Sequence, residues 1–127
     1  MNFQKRFQDQ VAAVTGAADG VGRAIAQRLL AENARVWFLD RNEAGARAAC
    51  VEAGPGAFPL AVDITDEAEV RAAFAHIKAT HGRLDVMVNS AGIVGPNNRR
   101  ITETPADAFL DVQRVNLYGS FLTTRHA

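Results

Sequence analysis

The chain has 127 residues, 48% of apolar type and 22% charged, with 14 basic and 14 acidic side chains that cancel. That length makes one domain with room for a real core, and the balanced charge leaves no whole-domain electrostatic footprint for nucleic acid. Cys50 stands alone, which excludes an intramolecular disulfide framework. No apolar stretch approaches membrane-spanning length, and the N-terminus lacks the apolar core of a signal peptide, so no membrane contact and a reducing, cytoplasmic setting are expected. The three histidines, 76, 81 and 126, are scattered without Cys or acid clustering, and no metal site is expected. Cys50 itself falls on a predicted helix and reads as a small packing residue.

In chain order, residues 10–15 read as a short buried strand through Val11, Ala12, Ala13 and Val14. Val21, Ala24, Ile25 and Leu29 then recur at helical spacing and predict a helix that packs an apolar stripe on a sheet. Gly16, Gly20 and Gly22 stand where strand passes into helix. Glycine lacks a Cβ and tolerates positive φ, so the backbone there can turn tightly and approach a ligand. The helix start adds free N–H groups and the positive end of its dipole. That arrangement suits a diphosphate. The spacing is not the general G-x-G-x-x-G, because position 18 is Ala, and a tight turn without a ligand stays open as an alternative. The run Arg35–Asp40 is a second strand ending in a carboxylate 18 positions after Gly22, close to where a dinucleotide fold places its ribose-binding acid. A carboxylate at Asp40 accepts from both adenosine ribose hydroxyls and repels a 2′-phosphate. The plainer alternative is a strand-end turn residue.

Glu43–Ala53 reads as an Ala-rich helix stopped by Gly54, Pro55 and Gly56. Residues 57–62 form a third strand, with Pro59 arguing for an edge position. Thr65 or Asp66 caps the next helix, and Asp66 with Glu69 has the spacing of a capping box. Val70, Ala73, Phe74 and Ile77 mark its buried face, and Gly82 breaks it. Residues 84–88 are a fourth strand whose apolar run suits cover on both faces. Thr104 and Pro105 begin a last helix with proline at its first position. Strands alternating with helices require a parallel sheet with right-handed crossovers. The expected fold is therefore α/β, a doubly wound parallel sheet of Rossmann type in the order 3-2-1-4. Its ligand crevice lies at the switch point between strands 1 and 4, where the loops 15–22 and 89–96 emerge.

The run Thr15-Gly16-Ala17-Ala18-Asp19-Gly20-Val21-Gly22 resembles the T-G-x-x-x-G-x-G phosphate loop of the short-chain dehydrogenase/reductase family. Asn89-Ser90-Ala91-Gly92 is similar to that family's N-N-A-G element, with Ser90 in place of the second Asn. Asp63 and Ile64 end the third strand where the family contacts the adenine ring, and Asn116 falls where its helix carries an active-site Asn. The resemblance covers nearly the whole chain from about residue 8, with four motifs in the right order. It implies a nicotinamide dinucleotide held by Thr15, Gly16, Asp19, Gly20, Val21 and Gly22 at the diphosphate. Asp40 and Arg41 would serve the ribose, Asp63 and Ile64 the base, and Asn89, Ala91 and Gly92 the far wall. Asp40 favours NAD over NADP. Asp19 agrees, since family members that prefer NADP often carry a basic residue there. Arg41 cuts the other way, because a guanidinium can pair with a phosphate.

The same resemblance shows what these residues lack. The family moves hydride between nicotinamide and an alcohol or carbonyl carbon while a Tyr exchanges the proton, a Lys four positions on lowers its pKa, and a Ser polarises the substrate oxygen. Its Asn holds a water in the relay. A tyrosine titrates near pH 10, roughly three units above neutrality, so it needs a neighbouring cation. The one tyrosine, Tyr118, has Leu122 four positions on and reads as a packing or interface residue. Of the four catalytic positions only Asn116 is present. The chain therefore reads as a single NAD-binding domain, 1–127, the cofactor-binding half of an oxidoreductase truncated before the fifth strand and inactive alone. A non-catalytic NAD-binding sensor or regulatory module is the alternative, and a decayed product without a ligand is a third. Phe109, Val112, Val115, Leu117, Phe121 and Leu122 reach most of the last helix's circumference, and an all-round apolar helix is buried on several sides. Self-association through it is expected.

Overall fold

The computed structural model describes residues 5–127. Strand β1 (Val11–Thr15) is followed by α1 (Gly20–Ala31), β2 (Arg35–Asp40), α2 (Glu43–Ala53), β3 (Ala57–Ala61), α3 (Glu67–His81) and β4 (Val86–Val88). A 3-10 turn, Ile101–Glu103, precedes one long helix in three parts: α4 (Ala106–Gln113), a π-helical segment (Arg114–Gly119) and α5 (Ser120–His126). The four strands form one sheet in the order β3-β2-β1-β4, parallel throughout. This is the doubly wound order expected from the alternation of strands and helices, with Pro59 on the edge strand opposite Phe38.

Side chains alternate across the sheet because successive strand residues point to opposite faces. On one face Val11, Ala13, Trp37 and Leu39 meet Val70, Ala73, Phe74 and Ile77 of α3 and Leu122 of α5. On the other, Ala12, Val14, Val36 and Phe38 meet Ala26 and Leu29 of α1 and Ala49 and Cys50 of α2. The centre is thus covered on both sides, and the strand ends carrying the glycine turn are held by a rigid scaffold. Residue Glu32, buried at the end of α1, is gripped by Arg6 and Arg28. The Arg6 hydrogen bond, with Arg28 behind it, brings its carboxyl down to about 2.

Several local expectations need correction. The buried face of α1 is Gly22, Ala26 and Leu29, whereas Val21 and Ala24 are exposed; small residues turn inward because the helix start lies against the β1 backbone. Asp66 caps α3 by accepting from the Ala68 and Glu69 amides, but the box is not reciprocal. Glu69 accepts from the Asp63 amide, and the Asp66 amide goes to the Asp63 carbonyl. Strand β4 begins at Val86 rather than 84, because the Asp85 carboxylate takes the Val11 amide at 2.8 Å. Its three residues are only half-buried, although Met87 packs on one face's core and Val86 and Val88 on the other's. Pro105 is the N-cap of α4, one residue before the helix.

Candidate functional site

The ends of the strands open into a cleft of about 450 Å³ between the β1–α1 turn, the end of β2, the residues after β3 and the loop after β4. Gly16 has φ +65°, and a Cβ there would stand 2.9 Å from the Ala91 Cα and 3.0 Å from its nitrogen. A Cβ on Gly22 would lie 2.3 Å from the Gly16 carbonyl oxygen. Two glycines thus let three backbone segments meet in one place, and no side chain fits between them. The first amides of an α-helix have no partner inside it, and the Asp19 side chain at the N-cap bonds none of them in α1. Gly16, Asp19, Val21 and Gly22 line the cleft around those donors.

The second wall is Asp40, Arg41 and Asn42. Asp40 Oδ2 accepts from the Ala18 amide at 3.1 Å and Oδ1 from the Asn42 amide at 2.9 Å. A carboxylate offers about four lone-pair sites, so two remain for a ligand. Arg41 is exposed, and its charge also acts on Asp63. Asp63 Oδ1 accepts from both the amide and the hydroxyl of Thr65, at 2.9 and 2.7 Å. Those bonds, the hydroxyl first, hold its carboxyl below the ordinary range. Buried Ile64 lies beside it, where a Cβ on Gly119 would come within 2.6 Å of its Cδ1. Leu39 and Val62 add apolar lining, and Ser90, Ala91, Gly92 and Ile93 form the wall after β4.

Four residues expected at the ligand lie outside the lining: Thr15, Gly20, Asn89 and Asn116. Thr15 is buried, and its hydroxyl accepts from the Ser90 and Ala91 amides, each at 3.1 Å. It fastens the loop after β4 to β1. Gly20 opens α1 with φ +54°. Asn89 donates to the Thr124 hydroxyl at 3.0 Å and accepts from Thr123 at 2.5 Å, tying β4 to α5. Asn116 lies in the π-helical segment and pairs both ways with the Ile93 backbone, accepting its N–H at 2.8 Å and donating to its C=O at 2.9 Å. Both polar atoms of its side chain therefore hold the loop. Such π segments recur at functional sites.

Sequence reasoning missed Ala18, Leu39, Asn42, Val62, Ser90, Ile93 and Val115 as wall residues. Asn42 carried a signal, since it precedes a helix as an N-cap type and accepts from the Gly45 amide at 3.0 Å. Ile93 and Val115 carried none, because only the long-range meeting of loop and helix brings them in. Cys50 packs inside as expected, and burial pushes its thiol up to about 11, far from a nucleophile's range. Tyr118 is not in the core: it is half-exposed, with its ring 6.4 Å from that of Phe121. No helix among the described residues is long and apolar enough to cross a membrane.

A family model described as short chain dehydrogenase matches residues 10–127. Momilactone A synthase of Oryza sativa subsp. japonica is 38% identical over 124 residues, covering 97% of this chain and 45% of its own length. A 3beta-hydroxysteroid dehydrogenase of Mediterraneibacter gnavus is 39% identical over 132 residues, 98% of this chain and 48% of its own. The chain spans about half the length of the curated relatives it matches. Among solved structures, a 3-ketoacyl-(acyl-carrier-protein) reductase from Brucella melitensis complexed with NADH superposes with a TM-score of 0.89 at 35% identity, covering 94% of this chain and 49% of that one.

Proposed function

The chain belongs to the short-chain dehydrogenase family, and from that premise we propose that it forms the NAD-binding part of an oxidoreductase that moves hydride between nicotinamide and a secondary alcohol or ketone. One observation carries the reading: the glycine turn, Asp40 and Asp63 line a single cleft at the strand ends, which gives a diphosphate, a ribose and a base each a partner. The donor set fits the group. Uncapped amides of α1 suit two negative phosphates, Asp40 keeps two acceptor sites for sugar hydroxyls, and Asp63 Oδ2 is left to accept from an exocyclic amine. A bound dinucleotide would supply the hydride acceptor. Asp40 and Asp19 disfavour a 2′-phosphate by like charge. Arg41 offers a weaker counterweight, since its charge is shared with Asp63.

The alcohol proton needs a base, and a Tyr followed four residues on by Lys does not occur in these 127 residues. Asn116 acts as a positioning residue that fixes the loop facing the cofactor. The chain by itself therefore binds the dinucleotide without turning over an alcohol.

Titration calorimetry with NAD and NADP tests the first claim. NAD binds, and NADP binds at least about tenfold more weakly; equal affinities defeat the NAD assignment, and silence for both defeats the site. NADH absorbance after mixing with NAD and secondary alcohols tests the second, and stays flat for this chain alone. The outer face of the long helix exposes Phe109, Leu110, Leu117, Tyr118 and Phe121, an apolar patch of the kind that marks an association surface. It supports self-association through this helix.

A further inference from the structure

We infer that Asp40 latches the glycine turn into shape before any ligand arrives, so that grip on the diphosphate and grip on the sugar are coupled through the Ala18 amide. The coupling rests on the dinucleotide reading above; the latch does not. Between Gly16 and Gly20, both at positive φ, the turn has few internal restraints. Two amides stitch it to the end of β2. Ala17 donates to the Leu39 carbonyl at 3.3 Å, which is long, and Ala18 donates to Asp40 Oδ2 at 3.1 Å. The second bond is charge-assisted and hence the stronger kind.

The other oxygen of the same carboxylate holds the Asn42 amide. Asn42 in turn caps α2 through Gly45. A Cβ on Gly45 would sit 3.1 Å from the Ala18 Cβ, so the first turn of α2 also lies close to the glycine turn. One carboxylate thus bridges the diphosphate turn and the β2–α2 turn, two separate segments of the cleft wall. Removing it frees the Ala18 amide and loosens the turn that aims the α1 amides. A change at Asp40 made to admit a different sugar therefore also weakens the hold on phosphate.

Amide exchange in the ligand-free protein, followed residue by residue by NMR, tests the latch. In Asp40→Ala the Ala18 and Asn42 amides exchange about tenfold faster or more, while the strand amides keep their protection. In Asp40→Asn one of the two stays slow, because a carboxamide has a single acceptor oxygen. Unchanged exchange at both positions in Asp40→Ala overturns the latch, whatever the protein binds. The coupling is tested with 2′,3′-dideoxy-ADP, which has no sugar hydroxyls, and with 2′,3′-dideoxyadenosine. Asp40→Ala weakens the diphosphate by about tenfold and leaves the nucleoside unchanged. Equal loss of both means general damage to the cleft, and full retention of dideoxy-ADP means a sugar acid only; each overturns the coupling. A wild-type chain that binds no dinucleotide sinks the functional reading and the coupling together, and leaves exchange to judge the latch.

Discussion

Gly22→Ala is the sharpest test of the glycine turn. The added methyl would lie 2.3 Å from the Gly16 oxygen, 2.8 Å from the Gly16 carbonyl carbon and 3.0 Å from the Thr15 oxygen. All three are backbone atoms at the end of a buried strand, so no side chain can rotate away. Reaching ordinary contact requires the helix start and the turn to part by roughly 1 Å. Overpacking costs about 1–3 kcal/mol, and an approach of 2.3 Å to backbone puts it at the upper end, about 2–3 kcal/mol, while alanine's helix propensity returns about 1 kcal/mol. The net loss is about 1–2 kcal/mol, or on the order of 1 M in the urea midpoint. Trp37, the one tryptophan of the chain and buried in the core, reports unfolding. Because the turn itself moves, the dissociation constant for NAD rises about tenfold or more. A Gly22→Ala protein that matches or exceeds wild type in stability and binds NAD unchanged refutes the close-approach argument.

Thr15→Val removes the acceptor of two amides in a buried place and lowers stability by about 1–3 kcal/mol, while Thr15→Ser keeps most of it; equal urea midpoints for Val and Ser refute the staple. His81 Nδ1 accepts from the Trp37 indole at 3.1 Å, with Trp37 and Phe58 edge-on to its ring. Burial first, then Arg35, pushes its pKa below 6.5. The unfolded chain therefore takes the proton more readily, so this stabilisation is complete above pH 6.5 and is lost as pH falls through the lowered folded value. His81→Gln removes that part of the slope between pH 7.5 and 5.5 in urea titrations, and an unchanged slope contradicts the assignment. Phe121→Glu, placing a charge on the exposed face of α5, shifts sedimentation at micromolar concentration toward the monomer and leaves NAD binding as it was. A wild-type chain that is already monomeric there removes the basis for association.

Much of this architecture was legible because local signals and tertiary demands agree. Pro59 marked an edge strand, Gly82 ends α3 in the left-handed conformation with φ +74°, and the four apolar residues of α3 are all buried as their spacing required. At the site, the glycine turn and Asp40 could be placed because short-range geometry determines them. What escaped depends on contacts distant in sequence. Asp85 shortens β4 by bonding an amide 74 positions away. Asn116 spends its carboxamide on a loop 23 positions back. Gly22 and Ala26, small enough to pass unnoticed in an apolar stripe, face inward because the helix approaches β1 too closely for larger groups. The wider π turn has no composition signature in Arg114–Gly119, and its effect is seen only once the loop lies against it.

Pro59 gives the sheet a direction. In this register Phe58 and Leu60 present their N–H groups inward to β2, so residue 59 sits where an outward donor would be needed, and proline has none. A newcomer laid along β3 would find a gap in the middle of a five-residue ladder. At the opposite margin, β4 carries Val86, Met87 and Val88 with every amide intact. The β4 flank, beside the mouth of the cleft, is accordingly the one with an unbroken set of donors, and a backbone that docks there becomes a neighbour of the loop that Thr15 and Asn116 hold in place.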